Sequence, residues 1–299
     1  MRSATVVFSG PASPGLTLAP LRRGGIDPCY RVDAAGAIWR TSLMPSGPVT
    51  ARITRVATDT ADCQAWGEGA DEFIDRLPAL LGVDDDASDF APAEPTIAKA
   101  RRQVPHLRLG RTGRMLEALI PAIIEQRVYG LDAWRAWRAL VTKFGTPAPG
   151  PAPDGMRVVP SAEVWRRIPS WEFHRANVDP GRARTIVMCA QRADSLERLT
   201  HERAAVGLRS LPGVGEWTAA ETMQRVFGDA DALSVGDYHL ATLVGQALTG
   251  EPVDDAGMVE LLEPMRPHRH RAVRLLEAGG MFVYRRRGPR QAIPKLRTL

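Results

Sequence analysis

Residues 211–219 read LPGVGEWTA and lie between two stretches with helical patterning. Pro212 fixes its own φ and has no N–H to continue a helix, while Gly213 and Gly215 open backbone conformations that other residues avoid. The chain must therefore reverse tightly here. Upstream, Thr200 is placed to cap a helix that runs through about Leu208, and downstream a helix runs from Glu216 to about Phe227 before Gly228. Such a hairpin exposes the unsatisfied N–H groups and positive dipole end of its exit helix, for which a phosphate is the natural ligand. Nothing in the turn reads a base, so a nucleic acid held there is positioned without regard to its sequence. A helix–turn–helix corner with two convenient glycines is also an ordinary structural element, and the turn alone does not decide between the two.

About two dozen residues on, SVGDYHLATLVGQAL (234–248) sets Asp237 directly before a helix with Leu240, Leu243, Val244 and Leu248 on one face. By position Asp237 is an N-cap. The remainder of the chain falls into two styles. AIWRTSL (37–43) and VTARIT (49–54) read as strands, with Val49, Ala51 and Ile53 alternating against Thr50, Arg52 and Thr54 and with MPSGP (44–48) as the turn between them. From about Ala70 the period becomes helical. An acidic, proline-punctuated stretch (83–95) reads as a connection, and helices follow. Leu116, Leu119, Ile120, Ile123 and Ile124 form one buried stripe; Trp134, Trp137, Val141 and Phe144 form another, read as core. TPAPGPAPDG (146–155) is a loop, and Asp179-Pro180 caps and starts a helix through about Ala193. The fold expected is α+β: a small mixed α/β domain with an antiparallel sheet over residues 1–90, then a mainly helical domain over 96–299.

Charge divides the same way. Residues 1–98 hold 8 arginines and 13 acidic residues, net −5, whereas residues 99–299 are net +10. A cationic helical domain suits a phosphate-bearing polymer. Cys29, Cys63 and Cys189 stand far apart, so neither a zinc site nor an iron–sulfur cluster is expected. Asp84–Asp86 and the pair His268/His270 are read as solvated surface. No apolar run approaches the roughly 18–20 residues that cross a bilayer, and no signal peptide is evident, so a cytoplasmic protein without membrane contact is expected.

Hairpin and aspartate together resemble the helix-hairpin-helix DNA glycosylase superfamily, with the hairpin at about 201–227 and VGDY (within 234–240) similar to the segment that ends in that family's catalytic aspartate. With a small α/β domain ahead of the helical one, the chain is most similar to the 3-methyladenine DNA glycosylase II (AlkA-like) branch. The resemblance implies an enzyme that flips a damaged base out of double-stranded DNA and cuts its bond to the sugar, as a monomer, in base excision repair. Asp237 is then the catalytic residue, and Trp217 and Tyr238 are aromatic candidates for the base pocket. Leu211, Gly213, Gly215 and Thr218 would meet the DNA backbone. IIEQRV (123–128) resembles the helix that delivers residues into the duplex, which puts Gln126 and Arg127 at the DNA, with Arg127 standing where an apolar wedge is expected.

Two further residues bear on activity. The residue matching the lysine of the strand-nicking branches is Trp217, and the chain's lysines are Lys99, Lys143 and Lys295, so a base-releasing enzyme without AP-lyase activity is expected. Glu221 takes the place of an aromatic and reads either as a cation-attracting wall of the base pocket or as a solvated helix residue. The family hairpin also implies a monovalent cation, sodium or potassium, on the backbone carbonyls of Arg209, Leu211 and Val214. Competing readings are a glycosylase for an oxidised, deaminated or bulky base, and a non-catalytic hairpin protein that only binds DNA. The basic stretch YRRRGPRQ (284–291) is either a DNA contact or a loose chain end.

Overall fold

A computed structural model describes residues 1–284; all of the basic stretch beyond Tyr284 lies outside the described residues. The first domain is a five-stranded antiparallel sheet built from β1 (Arg2–Val7), β2 (Tyr30–Val32), β3 (Ile38–Met44), β4 (Gly47–Ala57) and β5 (Thr60–Trp66) in the order β1-β5-β4-β3-β2. Val49, Ala51 and Ile53 point into its core together with Phe73, Leu77 and Leu80 of α2 (Ala70–Leu80), which lies across the sheet with α1 (Pro14–Leu18) beside it. The apolar members of the alternation face this helix as expected, but Thr50 on the opposite face is fully buried as well. The turn at 44–48 is as expected, with Met44 paired to Gly47. β3 is buried on both faces, because its second side meets the helical domain. There Glu117 accepts from Ser42 Oγ (2.5 Å) and the Leu43 N–H (2.7 Å) and pairs with Arg40 (3.1 Å).

The helical region comprises α3 (Pro95–Gln103), α4 (Met115–Glu125), α5 (Gly130–Phe144), α6 (Ala162–Arg167), α7 (Ser170–Arg175), α8 (Pro180–Gln191), α9 (Ala193–Glu197), α10 (His201–Arg209), α11 (Glu216–Phe227), α12 (Leu240–Thr249), α13 (Asp255–Leu262) and α14 (Arg269–Ala278). It holds two cores. One is built on α4 and α5 with α6 to α11; the other joins α3 to α12, α13 and α14. The two expected stripes face the first core except for Trp134, which is partly buried against Gly24 instead; Ile123 is fully buried and Trp137 is stacked on Trp165. Asp179 caps α8 through Gly181 and Arg182, with Pro180 at its first position, whereas Thr200 precedes α10 without a side-chain cap. Chain passes between the cores only through 104–114 and 228–239, so residues at the end of the second segment sit on the seam.

The acidic connection and the histidines differ from expectation. Asp85 is buried, chelating Arg271 at 2.6 and 2.9 Å and accepting the Leu109 N–H at 2.9 Å. His268 is buried against Asp89 and Arg271. Only Asp84 and Asp86 of the run keep to the surface. The cause is a long-range meeting of the connection with α14, which local patterning cannot show. Burial first, then Arg274, Arg225 and Arg271, hold the His270 imidazole well below its ordinary value. The unfolded chain therefore takes up a proton at His270 before the folded one does, and stability falls as pH drops through about 6.5. Between about pH 7.5 and 5.5, Tm of the wild type is expected to fall more steeply than that of His270→Gln.

Candidate active site at the hairpin and Asp237

Both loops at the seam have the sequence signature of a type II turn, with glycine at the third position. In the hairpin, the Val214 N–H closes onto the Leu211 carbonyl (3.0 Å), Pro212 is second and Gly213 is third with φ +85°. In the second loop the Asp237 N–H closes onto the Ser234 carbonyl (3.3 Å), and Gly236 has φ +87°. The hairpin glycines do different jobs. A Cβ on Gly213 would lie 2.2 Å from Thr185 Oγ1, so this glycine answers to the protein's own packing. A Cβ on Gly215 meets nothing within 4 Å. Gly215 is the N-cap of α11 with no side-chain cap, which leaves the first N–H groups of that helix facing outward.

The Asp237 carboxylate is held on both sides. Oδ1 accepts the N–H groups of His239 (2.9 Å) and Leu240 (3.0 Å), at the turn that enters α12, and Oδ2 accepts the Trp217 indole N–H at 3.1 Å. Among the described residues no arginine or lysine forms an ion pair with it. The expected N-cap position is shifted: α12 begins at Leu240 with His239 as its N-cap, and Asp237 instead holds the turn that leads into it. Trp217 is half-buried, whereas Tyr238 is 75% exposed beside the carboxylate, its ring edge-on to His239.

Gln126, the C-cap of α4, donates its amide to the Gly213 carbonyl (2.9 Å) and to Thr218 Oγ1 (2.8 Å). Its amide hydrogens thus brace the hairpin, and Thr218, like Leu211, is buried. Arg127 follows in a left-handed conformation, φ +53°, with its side chain exposed at the tip of the α4–α5 turn. That backbone is uncommon for a residue other than glycine.

The solvated reading of Glu221 is corrected. Its side chain is 14% exposed, pairs with Arg225 at 2.7 Å and accepts from Ser234 Oγ at 2.5 Å. Burial alone would raise its carboxyl, but Arg225, the Ser234 hydroxyl and Arg23 outweigh it and keep it below the ordinary carboxylate range. With both oxygens engaged, it is no open wall either. Gln224, a residue that sequence reasoning did not place in the site, donates to Ser234 Oγ and to the Ala232 carbonyl, each at 2.8 Å. Within α11 the i to i+4 spacing of Glu221 and Arg225 was visible in the sequence; their meeting with Ser234 was not.

No family model matches the chain. Over 226 residues it is 29% identical to the probable bifunctional transcriptional activator/DNA repair enzyme AlkA of Mycobacterium tuberculosis, a match covering 69% of this chain and 43% of that protein. Less than half of that relative's length is therefore spanned. Among solved structures, the 3-methyladenine DNA glycosylase of Archaeoglobus fulgidus superposes with a TM-score of 0.75 at 17% identity, over 94% of this chain and all of that one. The Clostridium acetobutylicum 8-oxoguanine glycosylase/lyase in complex with double-stranded DNA gives 0.71 at 12% identity, over 92% and 96%. The fold is that of the helix-hairpin-helix DNA glycosylases. The chain shares with the Archaeoglobus structure nearly its whole length, with a five-stranded sheet ahead of the helices.

Proposed function

We propose that this chain is a monofunctional DNA glycosylase that releases alkylated, 3-methyladenine-type bases from double-stranded DNA and leaves an abasic site. The observation that carries the reading is the Trp217–Asp237 contact at 3.1 Å: where a strand-nicking enzyme needs an amine, an indole N–H supports a carboxylate. The target nucleotide must leave the stack, because its C1′–N bond is otherwise out of reach. The outward N–H groups of α11 would hold a backbone phosphate, and the exposed Arg127 would occupy the space the nucleotide vacates. An alkylated purine is cationic, so the electrons of the breaking C1′–N bond neutralise it and no strong acid is needed. Asp237 stabilises the cationic sugar and accepts the proton of the water whose oxygen bonds to C1′. A cationic base also favours the face of Trp217 or Tyr238, by about 0.5–2 kcal/mol.

A sodium or potassium ion at the hairpin fits the same geometry. The Leu211 carbonyl spends one lone pair on Val214, and Pro212, three residues after Arg209, has no N–H to give. The carbonyls of Arg209, Leu211 and Val214 would hold the ion, which adds positive charge beside the phosphate. In the proposed setting the protein works as a monomer on DNA; among the described residues no helix is long and apolar enough to cross a membrane.

Gly215→Asp separates phosphate binding from folding. The site has room for the side chain and its φ of −90° suits any residue, so the new N-cap should raise stability by a few tenths of a kcal/mol. The same carboxylate repels the phosphate, and duplex affinity at low salt should fall about tenfold. Thermal melts and binding isotherms read the two effects separately. For the function itself, chromatography of bases freed from methylated duplex by the full chain should show 3-methyladenine. Duplex binding with no base released would favour the non-catalytic reading instead.

A further inference from the structure

We propose that the N-terminal domain is a working part of the reaction site: its segment Ala19–Arg23 completes a buried ion network that fixes the Asp237 turn against the braced hairpin, and Glu221 is the positioning residue at the centre. The Pro20 carbonyl accepts from Arg23 Nη1 at 2.7 Å and from Arg225 Nε at 3.2 Å. Arg225 passes the link to Glu221, and Glu221 to Ser234. In the other direction Arg23 Nε lies 3.3 Å from Glu125, the residue before Gln126. Two arginines and two glutamates balance, and the side chains of Arg23, Arg225 and Glu221 are 7%, 12% and 14% exposed. One network thus reaches the turn that carries Asp237 and the helix end that braces Gly213.

Ser234 shows why this sets position. Its hydroxyl accepts from Gln224 and donates to Glu221, and its carbonyl receives the Asp237 N–H. The serine cannot shift without breaking one of the three. Buried ion networks add little stability over a well-packed apolar cluster; in this one the hydrogen bonds of Ser234 tie the Asp237 turn to Glu221 and Gln224. Displacement of a reacting group by about 1 Å is enough to cost about a hundredfold in rate. The N-terminal segment can therefore govern the reaction through Pro20 and Arg23.

The inference rests on the glycosylase reading for its rate measurement, so a second readout is independent of turnover. In the DNA-free full chain, hydrogen exchange is followed at the amides of His239 and Leu240, whose N–H groups are bonded to Asp237. Glu221→Gln leaves Arg225 with no buried counter-charge from Glu221 and should lower Tm; Glu221→Gln/Arg225→Met removes both charges and should recover much of it. Both variants, and Arg23→Met, should exchange these amides about tenfold faster. Both Glu221 variants should release base at least about tenfold more slowly at saturating duplex, with duplex affinity within about twofold of wild type. A double variant with wild-type exchange would make the network merely structural and overturn the proposal, and unchanged exchange in Arg23→Met would remove the N-terminal arm from it. Absence of base release by the wild type would contradict the glycosylase reading alone, with exchange still deciding the positioning role.

Discussion

Asp237→Asn is expected to lower single-turnover base release by about 10²–10⁴-fold, the range of a lost general base, while leaving duplex binding nearly unchanged. The carboxylate has two separate sets of donors: two backbone N–H groups on Oδ1 and the Trp217 indole on Oδ2. An asparagine has one acceptor oxygen. With its NH₂ group turned to the indole N–H one hydrogen bond is lost, and turned to the start of α12 two, so the cheaper orientation costs about 1 kcal/mol. The variant should therefore fold, with a small loss of Tm. A rate loss far larger than the stability loss marks the carboxylate as reacting; equal losses would reduce it to a holder of the turn.

Gly213→Ala should have the largest effect on folding of any single methyl added at the site. A side chain at φ +85° costs about 1–2 kcal/mol, and a Cβ placed 2.2 Å from Thr185 Oγ1 adds overpacking of about 1–3 kcal/mol. The hairpin would have to move away from α8, drawing its carbonyl off Gln126. Both Tm and duplex affinity should fall. Thr185→Ala in the same chain removes the oxygen it meets but not the φ, so the double variant should recover part of the loss. Full recovery, or none, would show that one of the two causes is absent.

Thr185 marks where sequence reading stops. LPGVG announced the turn, its exit helix and its outward N–H groups, because proline and glycine act locally. It could not say that Gly213 is fixed by a threonine 28 positions upstream whereas Gly215 faces open space. VGD likewise announced a helix start, although the helix begins only at Leu240, later than expected, and Asp237 holds the turn before it. The sheet was legible where Val49, Ala51 and Ile53 alternate. Edge strand β1 was not, since it exposes most of its residues and leaves little alternation to see. Glu221, Asp85 and His268 share one reason for being misplaced. Each is a polar residue buried by a partner far along the chain, and charge alone gives no warning of burial. Gln126 was expected at the DNA from resemblance; the fold first spends its amide on the hairpin, while exposed Arg127 carries the left-handed turn.

The account stands or falls on bond cleavage without strand cleavage. In a single-turnover experiment the full chain is mixed with a duplex carrying one alkylated purine, and both free base and strand breaks are scored before and after alkali. Free base with breaks appearing only after alkali is the predicted result, because Trp217 offers no amine to the sugar. Breaks formed without alkali, together with a borohydride-trapped protein–DNA adduct, would contradict it.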